Sequence, residues 1–208
     1  MTKVISFISR KGGTGKTTNA INLCTMLSNL GHSLVLIETD TNYTLNTLRQ
    51  MESHRTGAKQ DKMFSILGSE DDKVIEELRA LKKKGDYDLI VVDSAGKTTD
   101  TAIRKLTIES DLVIVPTSLT QNDLLVTYQT IEDLKAAKDH HKNLIIAVLP
   151  NRVHSATKSG TIKDALSELD AHILENSIPQ KNLFANFSTI LPERQYLNTA
   201  KEILELIQ

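Results

Sequence analysis

The chain has 208 residues, 39% of them hydrophobic, and its 25 Lys and Arg against 26 Asp and Glu leave a formal charge of −1. That length supports one sizeable α/β domain burying roughly 70% of its unfolded surface. The near-neutral balance excludes a whole-molecule field for nucleic acid or anionic membrane, so either contact would need a local patch. The single cysteine, Cys24, cannot form an internal disulfide and sits in an apolar helical pattern, a packing residue suited to a reducing cytoplasm.

In chain order, Val4–Ile8 is the first short β-branched run, and it meets Arg10 and Lys11 too soon to be a signal peptide or a spanning helix. Helical spacing follows over Thr17–Leu30, then a strand at Leu34–Ile37, a short helix at Leu45–Met51 and a polar stretch at Ser53–Asp61. Met63–Leu67 reads as an extra edge strand and Lys73–Lys84 as a helix. Leu89–Val92, Leu112–Val115 and Leu144–Leu149 are further strands, with a helix over Asp123–His140 before the last of them. Thr161–Leu169 and Glu193–Ile207 are helical, and Ala171–Leu174 is a weaker strand between them. Near-continuous apolar runs alternating with helices predict a mostly parallel sheet covered by helices on both faces. The expected organisation is one domain, 1–208, beginning at its first strand with no N-terminal helix-turn-helix.

Between the first strand and first helix lies Lys11-Gly12-Gly13-Thr14-Gly15-Lys16-Thr17-Thr18. Its glycines let backbone N–H groups turn inward around phosphate oxygens, and the helix N-terminus adds partial positive charge there. Lys16 supplies a full charge to the β and γ phosphates, and the Thr17 hydroxyl is placed to ligate Mg²⁺. A second metal ligand is expected at Asp93, which ends the apolar run Leu89-Ile90-Val91-Val92 on the ligand side of a parallel sheet. The usual phosphate loop opens on a glycine where this chain has Arg10 and Lys11.

The stretch from Lys11 to Thr18 resembles the deviant Walker A box, KGGxGKTT, of the ParA and MinD family of P-loop ATPases. The resemblance implies a Mg²⁺-dependent ATPase of the P-loop NTPase fold, slow without its partner protein. It also implies a dimer formed on ATP binding, in which Lys11 reaches the nucleotide of the other subunit. A cation crossing each way would offset the repulsion between two nucleotides. Ser94-Ala95-Gly96 resembles the family's γ-phosphate-sensing segment. Asp40 takes the position that orients the attacking water, although Glu38 and Thr41-Asn42 replace the usual acid and Pro-Gln. Glu38 is open between a supporting role and a solvated side chain. Asn151 matches the asparagine that reads the adenine edge, and Ile190–Arg194 resembles the segment bordering the base.

The run Asp111–Thr117 with Leu119–Asp123 resembles the fourth-strand signature of small ParA proteins, and the whole chain resembles ParF-type plasmid partition ATPases. The implied function is positioning of plasmid or chromosome cargo. The dimer would bind nucleoid DNA without sequence preference, and a small centromere-binding or cargo-adaptor protein would stimulate release. Arg152–Gln208 holds six Lys or Arg against seven Asp or Glu, so DNA contacts would be assembled from Lys158, Lys163, Arg194 and Lys201 of both subunits. Lys82–Lys84 reads as helix C-terminal charge and His140-His141 as solvated surface. Pro116–Thr120 also resembles VirC-type proteins that assist conjugative transfer. A third reading is a nucleotide-held scaffold with little turnover. Membrane attachment is not expected, because Glu202–Gln208 is acidic where a targeting helix is basic.

Overall fold

The computed structural model describes residues 2–40, 44–58, 63–96 and 99–208. Among these, seven strands form one sheet: β1 (Lys3–Phe7), β2 (Leu34–Glu38), β3 (Ser65–Gly68), β4 (Leu89–Asp93), β5 (Leu112–Thr117), β6 (Ile145–Pro150) and β7 (His172–Ile173). All pairings are parallel, in the order β3-β2-β4-β1-β5-β6-β7. The order reverses around β1, and ligands in such sheets sit outside the strands' carboxyl ends at that point.

Strand side chains alternate between two apolar layers. Ile5, Phe7, Leu36 and Val91 face α1 (Lys16–Asn29) and α8 (Leu197–Ile207), where Leu23, Leu27, Ala200 and Ile203 are buried. Val4, Ile37, Val92 and Val115 face α3 (Val74–Lys84), α4 (Asp100–Glu109) and α5 (Gln121–Lys135), through Leu78, Ile103, Leu106, Ile131 and Leu134. Burial on both sides explains why the strands read as unbroken apolar runs. The remaining helices are α2 (Thr44–Thr56), α6 (Ser159–Leu166) and α7 (Asn182–Ala185).

The edge strand anticipated near Met63 is β3, paired among the described residues to β2. Cys24 is fully buried in the α1 layer, and α8 buries Ile203 and Ile207 as a docked helix. Helix α2 runs on to Thr56, α6 stops at Leu166, the short α7 was not anticipated, and two further segments differ from expectation. Helix α4 is absent from the sequence reading because it buries only Ile103, Leu106 and Thr107, and Thr107 returns its hydroxyl to the Ile103 carbonyl. Its start is nonetheless marked by Thr99, whose hydroxyl accepts the Ala102 N–H. Helix α5 stops at Lys135, short of His140, because the chain tightens into turns with Ala137 N–H bonding to Leu134 and Lys138 N–H to Lys135. No helix among the described residues is long and apolar enough to cross a membrane.

Candidate functional site

Phe7, Glu38 and Asp93 lie in one row at the carboxyl ends of β1, β2 and β4. Beyond Phe7 the chain becomes the glycine loop and enters α1. Gly13 and Gly15 have φ of 78° and 100°, a region that favours glycine. At Gly15 a Cβ would also stand 2.2 Å from Asn151 Nδ2. Gly15 is the N-cap of α1 and offers no side-chain acceptor, so the orphan N–H groups of the first turn are left for an anion. A Cβ on Gly12 or Gly13 would meet nothing within 4 Å, which makes this side of the loop an open cradle. Gly96 packs against it from behind: a Cβ there would lie 3.1 Å from Gly12 Cα and 3.4 Å from Lys16 Nζ.

Lys16 and Asp93 are both buried. Lys16 Nζ donates to the Lys11 carbonyl at 3.3 Å. Burial lowers its pKa, opposed by the charges of Asp93 and Asp40. Asp93 is pushed up to about 7 by burial, with the Thr17 hydroxyl and Lys16 pulling it back and Glu38 and Asp40 adding to the rise. Its Oδ1 is buried without a hydrogen-bond partner. A hard cation held by Thr17 and Asp93 fits this arrangement, because it would satisfy that oxygen and favour the ionised carboxylate. Ser94 fixes the following segment by donating from Oγ to the Phe7 carbonyl at 2.8 Å, and the Ala95 N–H donates to Thr39 Oγ1 at 2.9 Å. Asp40 is exposed immediately after Thr39, close enough for its charge to act on both Lys16 and Asp93.

The two cations at the front of the loop reach neighbouring helices. Lys11 Nζ lies 2.6 Å from Asp123 Oδ1, and the other oxygen of Asp123 accepts from Ser118 Oγ at 2.5 Å. Asp123 sits in the first turn of α5, whose cap Thr120 accepts its N–H. Burial raises the Asp123 pKa, but the hydrogen bonds from Lys11 and Ser118 outweigh it and hold the carboxyl below its ordinary value. Arg10 bridges Asp100, at the start of α4, and Asp133 on α5.

Beside the loop opens a cleft of about 550 Å³ lined by Gly15, Thr18, Asn151, Pro179, Gln180 and Phe184. Asn151 is buried and donates from Nδ2 to the Thr14 carbonyl at 2.7 Å, so its amide braces the loop as well as forming the cleft wall.

The family model described as VirC1 protein matches residues 2–195. The chain belongs to the VirC1 family. It is 27% identical over 191 residues to protein virC1 of Rhizobium rhizogenes, covering 88% of this chain and 79% of that one. Its fold is similar to MinD from Pyrococcus horikoshii complexed with Mg-ADP, with TM-score 0.69, 22% identity and coverage of 99% and 95%. It is also similar to a putative plasmid partition protein from Borrelia burgdorferi bound to AMPPNP, with TM-score 0.68, 18% identity and coverage of 99% and 98%. Together these show a VirC1-family chain with the fold of MinD and of that plasmid partition protein.

Within this VirC1-family site, Lys16, Thr17, Asp93 and Asp40 lie near one another, while two expectations change. Ile190–Arg194 does not line the cleft; Pro179–Phe184 does, because the chain turns back there through the Val153–Pro179 bridge. Glu38 is not solvated, which leaves the supporting role. Its buried carboxylate accepts the Thr44 N–H and hydroxyl, each at 3.1 Å, and the Leu45 N–H at 3.3 Å, which caps α2. Thr41 and Asn42 lie outside the described residues. Asp123 was missed as the partner of Lys11, although it falls within the stretch that carried the resemblance. Lys158, Lys163, Arg194 and Lys201 are all exposed. Lys82 reaches toward Glu109 at the end of α3, and His140 faces Arg104. Replacing Glu38 by alanine should destabilise the fold by about 1–2 kcal/mol through loss of the α2 cap, with nucleotide affinity little altered. An unchanged denaturation midpoint would remove the capping role.

Proposed function

We propose that the protein is a Mg²⁺-dependent ATPase that dimerises on ATP and positions DNA cargo with a partner protein. The observation that carries this reading is the convergence of Lys16, Thr17 and the partnerless Asp93 oxygen behind an open glycine cradle. Lys16 and the first-turn N–H groups of α1 hold the β and γ phosphates, Thr17 and Asp93 hold the metal, and Asp40 orients the attacking water. Mg²⁺ supplies neutralising charge at the phosphates. The cleft beside Asn151 takes the base. Lys11 serves the nucleotide of the opposite subunit, and the whole chain acts as one unit. The Mg-ADP and AMPPNP bound by the structural neighbours support this ligand class.

Mg-ATP at about 100 times its dissociation constant should stabilise the fold by roughly 2.7 kcal/mol; a melting curve unmoved by Mg-ATP sinks the nucleotide reading. Lys158, Lys163, Arg194 and Lys201 are assigned to non-specific DNA contact. DNA affinity should therefore require ATP and fall steeply with salt. Equal binding by nucleotide-free monomer would refute gating. Membership of the VirC1 family favours a second version of this function, in which the cargo is a DNA segment being readied for conjugative transfer. The small cargo adaptor of the partition reading and a transfer protein are distinguished by which one raises steady-state turnover. Turnover that no DNA or partner raises would leave the scaffold reading.

A further inference from the structure

A cleft of about 530 Å³ lies between α3 and α4, separate from the base cleft. One wall is Asp72, in the turn just ahead of α3, with Ile75, Glu76 and Arg79 along the helix. The other carries Ala102, Lys105 and Ile108. Ile75 and Ile108 are half-buried and rest on the core beneath, so the floor is apolar and supported from below. One end is closed by Glu109, which pairs with Arg79 at 2.6 Å and Lys82 at 4.0 Å. The other end is open. There Asp71 joins Asp72 and Glu76, and none of these three acids has an ion-pair partner among the described residues.

We infer that this groove is the docking site for an apolar, basic helical segment of a partner protein. It places aliphatic side chains between Ile75 and Ile108 and its cations beside Asp71, Asp72 and Glu76. The groove follows α3 for about 10 Å, enough for two turns of helix. Its acids and floor match a basic amphipathic helix and oppose DNA, whose phosphates would meet Asp71, Asp72 and Glu76. The open end also adjoins function. Thr99 and Thr101 form its α4 side, and α4 begins just after the segment that runs from Asp93 to Gly96 behind the phosphate loop. Asp100, between those threonines, is held by Arg10 at 2.8 Å. A segment seated here therefore presses on the first turn of a helix tied to the loop. This rests on the proposal that the ATPase works with a partner, and it names where that partner binds.

The test uses the full chain with a synthetic amphipathic peptide of leucine and lysine, and its leucine–glutamate counterpart as control. Amide shifts on titration should map to α3 and α4 with the lysine peptide and be absent with the glutamate one. Charge reversal by Asp72→Lys with Glu76→Lys should weaken peptide binding roughly tenfold, the effect of two exposed ion pairs. Reversal of Asp139 and Glu168, exposed acids elsewhere, should leave it unchanged. Equal loss in both double variants, or shifts centred outside α3 and α4, overturns the proposal. Protection of the groove that rises with protein concentration alone would assign it to a second copy and also overturn it. Melting in Mg-ATP without peptide is read in parallel, so a failure here is distinguishable from failure of the nucleotide reading.

Discussion

Asp93→Asn is expected to stabilise the nucleotide-free protein at pH 8. Burial raises the Asp93 carboxyl from 3.8 to about 7, so the fold holds a proton that the unfolded chain releases. Below about pH 3.8 both states are protonated and the group has no effect. As pH rises from there, ionisation favours the unfolded chain, and the deficit is complete above about pH 7. At about 1.4 kcal/mol per pH unit, the gap corresponds to a ceiling of ~4 kcal/mol, or roughly 8–16 °C in melting temperature for a chain of this size. Asparagine keeps an acceptor for Thr17 and carries no charge to bury. The advantage of the variant should grow between pH 5 and pH 8, and its gain from Mg-ATP should shrink, since the carboxylate proposed to hold the metal is gone. A variant less stable than the parent at pH 8, or a pH-independent difference, would contradict this account. Such a trade of resting stability for a buried charge is typical of functional sites.

The same residue shows what the sequence made legible. An apolar strand ending in aspartate after a glycine loop was enough to place Asp93 beside Lys16 and Thr17, because parallel strands deliver their carboxyl ends to one edge. The buried parallel strands were readable for the same reason: both faces are covered, so the apolar signal is doubled. Helix α4 was not, since only two of its large apolar residues, Ile103 and Leu106, are buried. Glu38 was left open because its role depends on the start of α2 returning to the end of β2, a tertiary contact that no local spacing encodes. Asn151 was singled out for the base, and its brace on Thr14 spans 137 positions and is visible only in three dimensions. The Lys11–Asp123 pair belongs to the same class: each residue was noticed, and nothing in one dimension joined them.

That pair leads to the second large effect. Lys11→Ala should leave Mg-ATP bound, since Lys16, Thr17 and Asp93 remain, yet abolish ATP-dependent dimerisation. Without the crossing cations, two nucleotides would face each other with their charge unopposed. Asp123→Ala should act in the opposite direction. In this structure Lys11 is held within its own subunit at 2.6 Å, and it must leave Asp123 before it can reach across. Lys11 is 43% exposed, so the pair is screened and worth at most about 1 kcal/mol. A dimer breaks two such pairs, so their removal should tighten dimerisation by up to about 30-fold. Sedimentation velocity in a non-hydrolysable ATP analogue reads both variants on one axis. Weaker dimerisation in Asp123→Ala would mean that the carboxylate aims the lysine at the interface instead of restraining it. An unchanged sedimentation coefficient for Lys11→Ala in ATP would remove the crossing role altogether. With both effects as expected, the front of the loop is a competition between an intramolecular carboxylate and an intermolecular phosphate. The weakness of the exposed pair is then what allows ATP to decide it.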